Sequence, residues 1–500
     1  MIKFRKLVYA FLLSSSAIQA QTYDADALRL SSPDLFGTAR SIGAGGAFSS
    51  VGADPAAAAS NPAGLAMYRS HEAAVSLGVG FGNSSTSYLS QTTISDFAKF
   101  SVPQASLVFA SRSLRKAGTG MSFENGGSKL ERVVFGISYN RLADYRTSVK
   151  FEGTNPYNSL AGAMANDIQT LIQTNKPISP DYTSIPNYLA WNTYVIDTFG
   201  TGSAYPLFFL PVKQTGTLTT QGSFSDINLT LGFNIADVVY VGAGVGIPIV
   251  SYTNTIDITE SNTHDSTGYP TSYSSLFKYK MSSVGVNGKF GVIVKPSQYF
   301  RIGAAIQTPT YFKIQESSFG DLTNRFVDTT LEAQQDAFYA YSLTTPLRFT
   351  TGASVYFKQY GFLSVDYQLD DYTHAKFGSA DGFFTPVNST INTKYRPAST
   401  IKVGAEFAYS VLRVRAGFSW SQSPFKSGQG VTDYDNSRFN YTAGLGYRGK
   451  VFFADLAYVF STYKSFYAPY TATTHQPGAF SRINNNLLML TLGVKFGRKG

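Results

Sequence analysis

The 500 residues carry 14% charged and 15% aromatic side chains, 45 glycines, no cysteine and a net charge of +10. The missing cysteine excludes a disulfide scaffold, a thiolate metal site and a lipidated Cys anchor. The cations form no block that would suit nucleic acid, and no apolar run of about 18 residues offers a membrane-spanning helix. An aromatic, glycine-rich chain without such a run has one membrane solution left, a closed β-barrel that pairs every backbone group between strands.

Residues 1–20 read as a secretory signal. Lys3, Arg5 and Lys6 form the basic region, Leu7 to Leu13 the apolar one, and Ser16-Ala17-Ile18-Gln19-Ala20 the cleavage region, so the mature chain is expected to begin at Gln21. Residues 21–71 show no period-2 pattern. They are small, aliphatic and sparsely charged, where a disordered tail would be polar, and so predict a plug (hatch) folded in a narrow lumen. Gly43, Gly45 and Gly46 lack the spacing of a phosphate loop, since Phe48 stands where the last glycine should be. Asn61-Pro62 reads as a tight turn.

From residue 72 onward apolar and polar residues alternate, the signature of strands with two different faces. Leu488, Leu490, Leu492, Val494 and Phe496 share one face, with Thr491, Gly493 and Lys495 on the other. The pattern predicts strands near 72–82, 103–112, 131–142, 221–235, 238–252, 277–295, 299–314, 346–357, 361–372, 393–408, 411–422, 437–448, 450–463 and 485–497. Short connections such as Ala236-Asp237 and Tyr409-Ser410 alternate with long ones, the largest at 143–220, as in outer-membrane barrels. The expected fold is therefore all-β: an antiparallel up-and-down transmembrane barrel of about 14 strands over residues 72–500, with an N-terminal plug. The 112–131 connection is long for a periplasmic turn. Gly136 inside the third strand suggests a bulge or kink, or a close approach to the backbone. Pro248 and Pro309 suggest bends near the outer rim.

The stretch from Gly37 to Tyr68, with its GAGGAF start and NPAGLA end, resembles the hatch of the long-chain fatty-acid transporter family (FadL/TodX-like), in the form found in Bacteroidetes. Gly291-Val292-Ile293-Val294-Lys295-Pro296, Arg301-Ile302-Gly303-Ala304-Ala305, Thr308-Pro309-Thr310-Tyr311 and Asp366-Tyr367-Gln368-Leu369-Asp370-Asp371-Tyr372 also resemble that family. The resemblance implies fourteen strands around a plug and passive movement of hydrophobic molecules, long-chain fatty acids first, from apolar loops past the plug. It also leaves open a second role found among relatives, docking in a secretion machine; adhesion is a further alternative.

In the 143–220 loop, Leu160, Met164 and Leu171 fall on one helical stripe, followed by Trp191, Tyr194, Phe208 and Phe209. They read either as a greasy mouth that captures ligand or as the small core of a loop folded over the barrel. Lumen-facing Lys289, Arg301, Arg413 and Arg415 suit either a ligand carboxylate or an ion-pair lattice joining plug to wall; the periplasmic position of the three arginines favours the lattice. The four histidines, His71, His264, His374 and His475, stand in no catalytic motif and G-x-S-x-G is absent, so no enzymatic activity, metal or cofactor is expected. The partners expected are a hydrophobic small-molecule ligand, outer-membrane lipid and lipopolysaccharide, and the barrel-assembly machinery, for which the overhang beyond Phe496 is unusual. A monomer is expected, and no nucleic acid.

Overall fold

The computed structural model describes residues 23–111, 130–199, 202–263, 268–379, 382–426 and 435–497. The expected signal peptide and most of the 112–131 connection lie outside them.

Fourteen wall strands follow one another in chain order. They are β1 (His71–Tyr88), β2 (Gln91–Ala110), β3 in two segments (Leu130–Asp144 and Thr147–Asn155), β4 (Val212–Ile235), β5 (Val239–Asn262) and β6 (Ser272–Ser297). Next come β7 (Phe300–Gln307 and Tyr311–Arg325), β8 (Thr330–Thr344 and Arg348–Tyr356), β9 (Gly361–Asp371), β10 (Pro397–Tyr409) and β11 (Leu412–Ser421). The last are β12 (Arg438–Arg448), β13 (Phe452–Tyr467) and β14 (Ala479–Phe496). The last strand pairs antiparallel with the first, from His71↔Phe496 to Ser87↔Phe480, which closes the barrel and removes both sheet edges.

The alternation read from the sequence divides lipid from lumen. Val75, Leu77, Val79, Phe290, Val292, Val365, Val403, Leu445 and Leu490 all point outward and are exposed. Aromatics close this band at both ends: Phe81, Phe100, Tyr311 and Tyr441 near the long-loop rim, and Phe109, Phe407, Tyr447, Phe452 and Phe496 near the other. Such girdles place amphipathic rings at the two membrane interfaces.

Several strands run past the band, so the loops expected at 83–102, 253–276 and 315–345 are mostly hairpins. β1 and β2 join at Leu89-Ser90, both at positive φ as a two-residue hairpin turn requires. β7 and β8 join across Arg325↔Thr330. The extensions escaped the periodicity because they lie beyond lipid. Sequences such as Asn83-Ser84-Ser85-Thr86-Ser87 are strand-compatible but have no apolar face. The 143–220 loop shrinks accordingly to residues 156–211, since β3 and β4 pair from Thr147↔Thr220 to Asn155↔Val212. Pro309 lies mid-strand, between the two segments of β7, and Pro248 also sits inside its strand with β5 running on to Asn262.

Gly136 is not a kink. The ladder runs through it regularly, Val108↔Gly136 on one side and Gly136↔Thr230 on the other. The irregularity lies further along β3, at a register shift between Arg141 and Ala143 followed by the break after Asp144.

Candidate functional site: a plugged lumen with a side seam

Residues 23–70 fold inside the wall as α1 (Tyr23–Ser31), α2 (Ala39–Gly43), α3 (Ala57–Ser60) and a 3-10 turn (Pro62–Met67). Small residues let this segment sit directly on the strands. Ala57, Ala58 and Leu65 pack on Val108 and Val134, and Ala39 and Ile42 on Ala457, Val459 and Met489. Phe48 and Val51 pack on Phe362, and Ala63 and Ala66 on Tyr240 and Ile293.

The wall answers with glycines. Gly136, Gly232, Gly242, Gly291, Gly303, Gly352, Gly404, Gly417 and Gly444 all face the lumen where plug or neighbouring wall atoms would meet a Cβ. Neighbouring strands set several side by side, as in Gly232↔Gly242, Gly242↔Gly291, Gly303↔Gly352 and Gly404↔Gly417. A Cβ on Gly242 would stand 2.2 Å from the carbonyl carbon of Pro62, and one on Gly136 2.3 Å from Leu65 Cδ2. Gly136 is thus a seat for the plug. Gly242→Val is expected to lift the plug turn from the wall at a cost of about 1–3 kcal/mol. Faster proteolysis within residues 50–70 of the folded variant would report it; wild-type protection would contradict it.

The hatch motifs are structural. Asn61 caps the 3-10 turn by accepting from Ala63 N at 3.1 Å, and its Nδ2 donates to Ser49 O at 2.6 Å. Pro62 occupies the first position of that turn, where its missing N–H costs nothing. Gly43 lies against Gly444, with a hypothetical Cβ 3.1 Å from the Gly444 Cα. Gly45 and Gly46 turn the chain at positive φ after α2.

The lumen cations form the lattice. Arg415 donates to Glu406 at 2.6 Å and to Asp455 at 2.7 Å, and Arg448 reaches Asp455 at 2.7 Å. From the plug, Arg40 lies 3.6 Å from Glu406 and 3.9 Å from Asp54, and donates to Ala53 O at 2.6 Å. Burial alone would lower the Arg40 guanidinium; the Glu406 and Asp54 carboxylates reverse this and hold it above the usual arginine value. Arg301 donates to Val51 O at 2.6 Å and to the Tyr356 hydroxyl at 2.8 Å. Arg413 lies 3.9 Å from Glu406 and donates to Ser410 O at 2.8 Å. Lys289 is paired with Asp226 and donates to Asn228 Oδ1. All four wall cations singled out in the sequence are therefore committed to protein partners.

The aromatic loop is mainly a cap core. Leu160, Met164 and Leu171, on α4 (Leu160–Gln173), are buried together with Phe208, Tyr88, Phe151 and Ile256. Trp191 is half-buried at the end of α5 (Ile185–Asn192). Only Tyr194 and Phe209 of the seven remain exposed. Glu260 fastens this cap, accepting from Leu160 N at 2.6 Å, Ala161 N at 3.1 Å, Gln214 Nε2 at 2.5 Å and Tyr273 Oη at 2.7 Å. Burial pushes its carboxyl above the usual range against those four donors.

Beside the cap and above the plug lies a cavity of about 850 Å³. Its floor is α1 and residues 32–36; Leu142, Tyr252, Leu487 and Met489 supply apolar wall. Lys394, Tyr395 and Phe425, on or beside α6 (Thr385–Lys394), line its long-loop side. Its other side reaches the wall between β2 and β3. Those strands pair only from Gln104↔Asn140 to Ala110↔Val134, although both run on. Pro103 has no N–H to continue the ladder. Farther out, among the described residues, only side chains bridge the strands, as Ser95 Oγ does to Ser148 O at 2.7 Å. Between these limits Leu142 O is taken instead by the plug, through Asp34 N at 2.8 Å. The result is a side seam, level with outward Phe100 and Val102, that joins cavity to lipid-facing surface. Sequence reading missed these residues because it placed 83–102 and 143–146 in loops; the signal available was Pro103 near the end of the first hairpin.

No protein-family profile matches this chain, and no curated protein does. Solved structures do match. A FadL homologue of Pseudomonas aeruginosa superposes with a TM-score of 0.57 at 14% identity, over 93% of this chain and 100% of that one. The toluene transporter TodX of P. putida does so with a TM-score of 0.54 at 15% identity, over 93% and 100%. In its fold, then, this chain is a FadL/TodX-like barrel.

Proposed function

We propose that this protein sits in a bacterial outer membrane and passes hydrophobic small molecules, long-chain fatty acids first, without an energy source. The observation that carries the reading is the cavity: apolar side chains such as Leu142, Tyr252, Leu487 and Met489 share its wall with polar and charged ones, the plug floors it, and it is continuous with a break in the strand ladder. A ligand held there has a path into lipid that avoids both the wet lumen and the plug below. A rigid closed pore would need no such break, because every broken rung leaves backbone groups to be satisfied elsewhere. The solved neighbour TodX is a toluene transporter, which supports the hydrophobic class. We place the chain as a monomer among lipopolysaccharide, inserted by the barrel-assembly machinery, with no enzymatic step. Saturable binding of labelled hexadecanoate, or of an aromatic hydrocarbon, to the purified protein is the expected result. Absence of binding for both would remove the transport reading in favour of a docking role.

A further inference from the structure

We propose that the free edge of β8 beyond the membrane is a docking strand for an extended, lysine-bearing segment of another polypeptide, which adds to the wall as one more antiparallel strand. The inference stands apart from the transport reading. From Tyr311↔Thr344 to Arg325↔Thr330 the outer segments of β7 and β8 form an unbroken ladder, with no bulge and no proline. At the tip Phe326 N donates to Thr329 O at 2.8 Å, and at the foot Thr345 N donates to Thr310 O at 2.9 Å. With that phase, β8 bonds to β7 through its odd-numbered residues. The backbone N–H and C=O groups of Glu332, Gln334, Asp336, Phe338 and Ala340 therefore point the other way. On that side a short strand, Lys376–Gly378, covers only Ser342 to Thr344. Among the described residues no backbone partner meets the edge from Thr330 to Tyr341.

Proteins ordinarily blunt such an edge with proline, a bulge or an inward-pointing charge. Here the lumen-side residues Leu331, Ala333, Gln335, Ala337 and Tyr339 are all uncharged. The charge lies on the outer face and has one sign. Glu332 and Asp336 are exposed there, with Asp321 beside them on β7 and Asp328 at the tip. Among the described residues none of these carboxylates is held in an ion pair, and Arg325 is the only cation between residues 314 and 344. Phe338 shares the outer face and is 76% exposed. It stands roughly 20 Å along β8 from Thr344, the partner of Tyr311 in the aromatic girdle, and so lies beyond the acyl chains that the outward band serves. An added strand answers all three features. Its backbone pairs the free groups, two cations four residues apart face Glu332 and Asp336, and an apolar side chain two residues farther on lies beside Phe338. A second copy of this chain fits less well. Self-pairing centred on Gln334 sets Glu332 opposite Asp336 twice, and self-pairing centred on Asp336 sets that carboxylate against itself.

The probe is a capped, labelled peptide in which phenylalanine, lysine, threonine and lysine follow in that order with valine between them. It is titrated with the purified full-length protein in non-ionic detergent at low salt. Saturable binding is expected, at least about tenfold tighter than that of the same peptide with glutamate in place of lysine. Methylating the backbone nitrogens of the two lysines keeps their charge but removes two ladder donors, and should weaken binding about tenfold or more. On the protein, Gln334→Pro removes one free N–H without altering the charge or the ladder to β7, and should weaken binding likewise. Glu332→Lys/Asp336→Lys should reverse the preference toward the glutamate peptide. The gel shift of the folded barrel checks that both variants are folded. No saturable binding of the lysine peptide overturns the proposal. So does binding that survives both N-methylation and Gln334→Pro, or a lysine preference that persists in the charge-reversed variant. A wild-type dimer that Gln334→Pro dissolves would put a second copy on the edge and overturn it as well.

Discussion

Leucine in place of Arg415 is expected to destabilise the folded barrel by about 3–5 kcal/mol, the cost of removing one partner from a buried ion network. The Arg415 side chain has no exposed surface and its two carboxylate partners have almost none. Gly446 leaves the space its guanidinium fills, since a Cβ there would lie 2.8 Å from Nη1. Without Arg415, Glu406 keeps only Arg40 and the more distant Arg413, and Asp455 keeps only Arg448. Two buried carboxylates would then face each other across an apolar side chain that can donate to neither. Denaturant unfolding of the protein in lipid vesicles, followed by the gel shift of the folded barrel, measures the effect. The Arg415→Leu/Asp455→Leu double variant should recover part of the loss. A single variant within about 1 kcal/mol of wild type would mean that the network is solvated and not structural.

Deleting residues 21–66 is expected to convert a nearly closed channel into an open one while leaving insertion intact. The wall does not need the plug to close: β1 pairs with β14 along its length, and every wall strand has a neighbour on each side over its membrane portion except at the seam. The plug, by contrast, fills the lumen from β2 and β3 round to β9 and β13, and the void between it and the wall at Lys289, Asp366 and Lys402 amounts to about 30 Å³, room for about one water. Single-channel conductance in planar bilayers should therefore rise from near baseline to a large, steady level. A deletion variant with wild-type conductance would show that something other than the plug closes the lumen.

How much of this was legible in the sequence follows from where each residue sits relative to lipid. Strands such as Leu488–Phe496 announce themselves because lipid and lumen impose opposite chemistry on successive residues. Together with the alternation of short and long connections, they make the count of about fourteen and the strand order readable. The extensions past the membrane, Thr92–Asp96 and Thr215–Thr220 among them, have water on one side and protein on the other, so the contrast fades and they read as loops. The plug was visible as a gap in the alternation, but its seat was not. Glycines on the lumen face look like any small polar choice until the plug is placed against them; of the two readings Gly136 allows, a bend or a close approach, only the plug decides for the second. The lattice was half-legible: Arg415 lies opposite Glu406 in register and Arg413 opposite Ala408, one place along the same face, whereas the contribution of Arg40 came from a segment with no strand pattern at all. The seam was hidden because it is made by two strands failing to pair. Periodicity records which face a residue occupies and carries little about which neighbour it lacks.

Hydrophobic ligands are expected to leave the cavity sideways, through the β2–β3 seam. Ser101 and Ala143 line the cavity from opposite sides of that seam. The chain has no cysteine of its own, so a bis-maleimide across Ser101→Cys and Ala143→Cys would join those two positions and no others. Transfer of labelled hexadecanoate into the lipid of proteoliposomes is then compared before and after cross-linking. The cross-linked protein is expected still to bind hexadecanoate but no longer to deliver it to the bilayer. Undiminished transfer by the cross-linked protein would contradict it.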